Sequence, residues 1–141
     1  IVMRKAGKLG HATKSFKRAV EILPNYPEAH NKLGITFIDL KQYEDAIEHF
    51  EWAVSYKYDF AEAYNNLGVA NRELGQINNA VKNFEEALKI NPSYTLALLN
   101  LGTSLKDLEL YDKASKCFEH IIAIEPDNFQ AQQNLKELNA N

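Results

Sequence analysis

The sequence predicts an all-α fold, a solenoid of antiparallel helix pairs stacked side by side, and three observations predict it. The chain repeats every 34 residues, so that Leu33, Leu67, Leu101 and Leu135 share one column, Gly34, Gly68 and Gly102 the next, and Phe16, Phe50, Phe84 and Phe118 another. Within each period the apolar and small residues fall into two stripes with helical spacing. Turn formers separate the stripes: Gly75 stands between two of them, and Pro24, Pro92 and Pro126 follow second stripes.

Each unit is numbered from Pro27, Ala61 or Thr95 as position 1. The first stripe then occupies positions 3, 4, 7, 8, 10, 11 and 14, which in the middle unit are Ala63, Tyr64, Leu67, Gly68, Ala70, Asn71 and Leu74. Asn71 is the one misfit. The second stripe, Ile77, Ala80, Val81, Phe84, Ala87, Leu88 and Ile90, completes a helical hairpin. On this frame residues 1–26 are a partial repeat, 27–60, 61–94 and 95–128 are full repeats, and 129–141 form a polar capping helix, all in one domain. Starting inside a helix without an initiator methionine, the chain is expected to be a piece of a longer protein.

A glycine inside a helix costs about 0.5–1 kcal/mol relative to alanine, so the glycine column needs a packing reason. The pattern predicts that Ala46, Ala80 and Ala114 face the glycines while Phe50, Phe84 and Phe118 fill the space between neighbouring hairpins.

These columns resemble the tetratricopeptide repeat (TPR) family: Leu-Gly at positions 7 and 8, an aromatic near 11, Ala at 20, Phe at 24, Ala at 27 and Pro at 32. The departures are Asn71 and Leu105 for the aromatic, Ile121 for Ala and Tyr58 for Pro. The resemblance implies a right-handed superhelix whose first helices line a concave face that holds an extended peptide or a partner's helix.

Composition narrows the function classes. A net charge of −3 argues against a general nucleic-acid binder, because phosphate backbones are held by clustered Lys and Arg. The charge is uneven: residues 1–26 carry +5 and the remainder −8, a gradient suited to end-to-end self-association. No stretch is long and apolar enough for membrane insertion or a signal peptide, and the single cysteine, Cys117, forms no internal disulfide, which together point to a cytoplasmic protein.

No enzyme is expected. His11, His30, His49 and His120 lack metal-ligand spacing with one another or with Cys117, the residues from Gly7 to Thr13 lack the register of a phosphate-binding loop, and the carboxylates sit mainly at exposed positions. Neither metal nor cofactor is called for. Cys117, at position 23, reads as a free surface thiol, and Trp52 with Tyr56, Tyr58 and Phe60 as local packing over the irregular turn at Tyr58.

Removing the buried stripe from the first helix leaves positions 2, 5, 6, 9, 12 and 13 on one face. The candidate peptide-binding residues there are Asn31, Lys32, Ile35 and Asp39 in the first full repeat and Asn65, Asn66, Val69, Arg72 and Glu73 in the second. The third supplies Leu99, Asn100, Thr103, Lys106 and Asp107, and the final helix Asn134. Asn66, Asn100 and Asn134 share position 6, and each amide can pair with a peptide's backbone N–H and C=O together. This row resembles the asparagine ladder in the TPR arm of O-linked N-acetylglucosamine transferases. Beside it, Asp39, Glu73 and Asp107 make an acidic row that Arg72 and Lys106 partly neutralise, suiting a peptide of mixed or mildly basic side chains.

The two-carboxylate clamp of other TPR domains wants Lys at position 5 and Asn at 9. Here those columns read Asn31, Asn65, Leu99 and Ile35, Val69, Thr103, so that mode is not expected. The leading reading is a non-catalytic protein-protein interaction scaffold. The alternatives are the substrate-presenting arm of a glycosyl- or sulfotransferase, and a scaffold that assembles by end stacking.

Overall fold

The computed structural model describes Gly10 and residues 14–15, 17–21 and 26–140. Most of the partial repeat, including Ala12, Phe16 and Pro24, lies outside these residues. Seven helices run from Pro27 onward: α1 (Pro27–Asp39), α2 (Tyr43–Tyr56), α3 (Ala61–Glu73), α4 (Ile77–Ile90), α5 (Thr95–Asp107), α6 (Tyr111–Ile124) and α7 (Phe129–Asn139). First helices of 13 residues alternate with second helices of 14. The paired stripes of the sequence therefore become helices at the same positions in every repeat.

Local signals explain the boundaries. Pro27 opens α1, where its missing N–H costs no hydrogen bond, and the Asn128 side chain caps α7 by accepting from the Ala131 N–H at 2.9 Å. Each first helix of the full repeats ends in the same left-handed residue at position 15: Gly75 (φ 79°), Lys41 (59°) and Glu109 (62°). The next N–H then reaches back over the turn, from Gln76 to the Asn71 carbonyl at 2.9 Å, Gln42 to Phe37 at 2.8 Å and Leu110 to Leu105 at 2.9 Å. Only one of the three positions has the glycine this geometry favours.

α1 packs on α2, α3 on α4 and α5 on α6, while each second helix also packs on the first helix of the next repeat. α1, α3 and α5 touch in turn, forming an inner row that lines the concave side of a right-handed superhelical solenoid.

The glycines answer to the phenylalanines. A Cβ at Gly34 would lie 2.5 Å from Phe50 Cε1, at Gly68 2.5 Å from Phe84 Cε1 and at Gly102 2.8 Å from Phe118 Cε1. All three rings are fully buried. The expectation that Ala46, Ala80 and Ala114 face the glycines is thus corrected: the ring of the glycine's own hairpin sits there. A phenylalanine reaches far enough to touch the opposite backbone, and it can do so only where that backbone carries no side chain. The alanines are also fully buried.

Two residues that the apolar pattern does not account for prove to be core. Asn71 is buried and donates from Nδ2 to the Leu67 carbonyl at 3.1 Å, so the misfit amide is satisfied within its own helix. Cys117 is not a surface thiol. It packs in the core with Leu98, Leu101, Leu105 and Phe118, and burial, with a smaller contribution from Glu85, pushes its pKa up to about 11. The sequence places position 23 outside the stripe, but Cys117 lies against Gly102, where the missing side chain draws the helices together.

Gly68→Ala should lower stability by about 1–3 kcal/mol through overpacking against Phe84, although alanine is the better helix former; a higher melting temperature would show that the ring can move aside. Conversely, Glu109→Gly should raise stability by about 0.5–1 kcal/mol in chemical denaturation, because glycine adopts the positive φ without the steric penalty.

Candidate functional site

The concave face is built from α1, α3, α5 and α7, and its residues are linked from repeat to repeat. Asn66 donates from Nδ2 to Asn31 Oδ1 at 3.0 Å, and Asn100 does the same to Asn65 Oδ1 at 3.0 Å. Position 6 of one repeat thus holds position 5 of the repeat before. Asn31 and Asn65 are buried by this arrangement, at 4% and 1% exposure, whereas Asn66 and Asn100 remain half-buried on the face. Asn31 also donates to Glu62 Oε1 at 3.4 Å.

Leu99 breaks the pattern at the third repeat, since it offers no amide to Asn134. Lys106 takes over, donating from Nζ to Asn134 Oδ1 at 2.8 Å and approaching Glu137 at 3.7 Å, while Asn134 Nδ2 bonds the Gln130 carbonyl at 2.8 Å. Arg72 and Asp107 form a second kind of rung at 2.9 Å. These pairings leave the amide row only partly available to a ligand, because one donor of Asn66 and one of Asn100 are already engaged.

The remaining candidates sort by exposure. Ile35, Val69 and Thr103 are half-buried between the amide and charged rows and Leu99 is half-buried within the amide row, with the Thr103 hydroxyl donating to the Leu99 carbonyl at 2.8 Å. Lys32, Asp39 and Glu73 are exposed.

Sequence reasoning missed two contributors. Lys57 and Phe60, in the turn between α2 and α3, join Glu28, Lys32, Ile35 and Glu62 around a recess of about 240 Å³ at the first-repeat end of the face. Lys57 lies 3.5 Å from Glu28 and 4.7 Å from the centre of the Phe60 ring. Position 31 is Asn91 and Glu125 in the later repeats, and only this column difference could have flagged Lys57.

A histidine pair within the first hairpin also escapes the periodic reading. His30 and His49 join α1 to α2 through their Nδ1 atoms, 3.2 Å apart, with the rings nearly parallel at 25°. One nitrogen must donate and the other accept, so protonation of both sets two N–H groups against each other. Trp52 stacks on His30 at 5.9 Å and on Tyr56 at 5.5 Å. The aromatic packing therefore forms over His30, and Tyr58 stays 83% exposed rather than anchoring it. Burial first, then His30, lowers the pKa of His49, against the opposing pull of Glu48 and Asp45.

Profiles of the tetratricopeptide repeat match residues 15–48, 61–94 and 96–128, and a TPR repeat profile matches residues 36–72. The chain belongs to the tetratricopeptide repeat family. No curated protein sequence matches it significantly. Among solved structures it is similar to MamA, at 30% identity over 97% of this chain and 80% of that one, with a TM-score of 0.90. It is also similar to the Arabidopsis OM64 TPR domain, at 26% identity over 82% and 95% of the two chains, TM-score 0.77. The second TPR domain of human RPAP3, solved in complex with an HSP70 peptide, matches at 24% identity over 81% and 98%, TM-score 0.75, a likeness of fold. Among the described residues no helix is long and apolar enough to cross a membrane.

Because the folded-state pKa of His49 lies below its ordinary 6.5, the native state binds fewer protons than the unfolded one. The sign follows: this stability is present above 6.5 and is lost as pH falls through 6.5 and on through the lower native value. In melting curves between pH 7.5 and 5, the wild type should lose stability relative to His49→Asn as the solution becomes more acidic; parallel curves would remove the histidine pair as the cause.

Proposed function

We propose that this TPR chain is a non-catalytic interaction module that holds an extended segment of a partner protein along the concave face of α1, α3, α5 and α7. The observation that carries the reading is the face itself. Ile35 and Val69, followed at the same position by Thr103, run between a row of asparagines and a row of charges, and Leu99 adds an apolar side chain within the asparagine row, so a chain lying along the face meets both hydrophobic and hydrogen-bonding groups. Neighbouring first helices pack on the order of 10 Å apart, a distance an extended peptide covers in about three residues. Peptide binding by the RPAP3 domain supports the same use of the fold.

The partner's chemistry differs from that of an acidic peptide terminus. The clamp lysines are absent, and three cations of the face are engaged, Arg72 with Asp107, Lys106 with Asn134 and Glu137, and Lys57 with Glu28, while Lys32 is exposed. Asp39 and Glu73 remain exposed on the charged row. A segment with apolar side chains toward Ile35 and Val69 and basic ones toward Asp39 and Glu73 is the complementary ligand.

Selection from a displayed peptide library should yield segments rich in Lys or Arg. Measured by fluorescence anisotropy, the selected peptide should bind Val69→Arg and Glu73→Lys about tenfold or more weakly, equivalent to about 1.4 kcal/mol. Enrichment of acidic C-termini, or undiminished binding by Val69→Arg, would reject the concave site.

A further inference from the structure

The internal repeat supplies its own control for a second site, on the opposite side of the molecule. Position 11 of each first helix lies beside position 23 of its partner helix. In the first full repeat this pair is Phe37 and His49, whose rings stack with centres 5.5 Å apart. In the third it is Leu105 and Cys117, both buried in the core. Both pairs close the space between the helices.

In the middle repeat the pair is Asn71 and Asn83, and there the solenoid opens. A cleft of about 430 Å³ lies between α2 and α4 with α3 as its floor, lined by both asparagines together with Ile47, Leu67 and Leu74. The volume falls within the range of ligand pockets. Asn71 uses its Nδ2 on the Leu67 carbonyl, which leaves Oδ1 as its acceptor. The rim carries Glu44 and Glu51 on α2 against a lone lysine, Lys82, on α4, a net negative mouth.

We propose that this cleft binds the side chain of a tyrosine, flanked by basic residues, on a partner protein. The ring takes the volume that Phe37 fills from within in the preceding repeat. Ile47, Leu67 and Leu74 supply apolar contact for the ring, and its hydroxyl donates to Asn71 Oδ1, a bond that phenylalanine cannot make. The flanking cations meet Glu44 and Glu51. The cleft is open along the groove between two second helices, so it admits a side chain carried on a larger surface. This site is independent of the concave-face reading, since no concave candidate lines it.

The test titrates the ¹⁵N-labelled chain with the capped tripeptide Lys-Tyr-Lys, following the Leu74 backbone amide and the Asn79 side-chain amide by NMR. Saturable shifts are expected at both, with affinity about tenfold weaker for Glu-Tyr-Glu and no saturation with Lys-Ala-Lys. The double variant Asn71→Leu with Asn83→Cys installs the closing pair of the third repeat and should abolish the shifts. Should that variant not fold, Glu44→Gln with Glu51→Gln, both at exposed positions, should weaken Lys-Tyr-Lys while leaving the melting temperature unchanged. Equal shifts with Lys-Ala-Lys, no saturation with Lys-Tyr-Lys, full binding by the folded closing variant, or full binding by the glutamine pair would each overturn the proposal. Saturation by tyramine but not by the tripeptide would overturn it in favour of a small aromatic amine.

Discussion

Everything in this solenoid depends on a phenyl ring laid against a helix that has no side chain to meet it. Phe50, Phe84 and Phe118 fill the approach of their hairpins to Gly34, Gly68 and Gly102, and the Cβ distances leave no room for even a methyl group. Burying such a ring contributes about 1.5–3 kcal/mol, more than the 0.5–1 kcal/mol that a helical glycine costs. One contact of this kind recurs in each full repeat, which is why the hairpins superimpose in register. That shared register places equivalent residues of successive first helices in rows.

The rows then acquire a second function. Along the inner face each repeat grips the one before it through polar pairs 35 residues apart, one repeat plus one residue: Asn31 with Asn66, Asn65 with Asn100 and Arg72 with Asp107. Such bonds contribute about 0.5–1.5 kcal/mol each, and removing one partner leaves the other, when buried like Asn65, with an unmet hydrogen bond at greater cost. The concave surface is therefore an interface between repeats as well as the face proposed to take a ligand. Its amides are preorganised because they are partly occupied, which limits the entropy a ligand must remove.

The parts legible in the sequence were those with a repeating physical cause. The helical hairpins and the positive φ at Gly75 followed from period and polarity. Contacts between columns were harder to read. A position number says which face a residue occupies but not which opposing side chain reaches it, so Phe84 rather than Ala80 at Gly68 required three dimensions. Cys117 was misread for the same reason: its column is marginal on a helical wheel, yet close approach at Gly102 draws it into the core. The pairing of positions 5 and 6 was hidden because it crosses repeats. The His30–His49 link occurs in one repeat alone, and a periodic argument sees only what recurs.

What does not recur is also where the scaffold can change at low cost. Replacing a ring by an amide at position 11 within a sealed core would leave a void costing on the order of 24 cal/mol per Å³. At Asn71 the lost volume opens outward between α2 and α4, so water can occupy it and the second amide, Asn83, gives that water a partner. An asparagine pair is stable there while a pair of alanines would leave an apolar, wetted surface. The ring-on-glycine contact of the same hairpin is untouched, with Phe84 still fully buried. A repeat can thus lose its closing pair at positions 11 and 23 and keep its fold, because the interaction that holds the hairpin is made by positions 8 and 24, on the side facing the glycine.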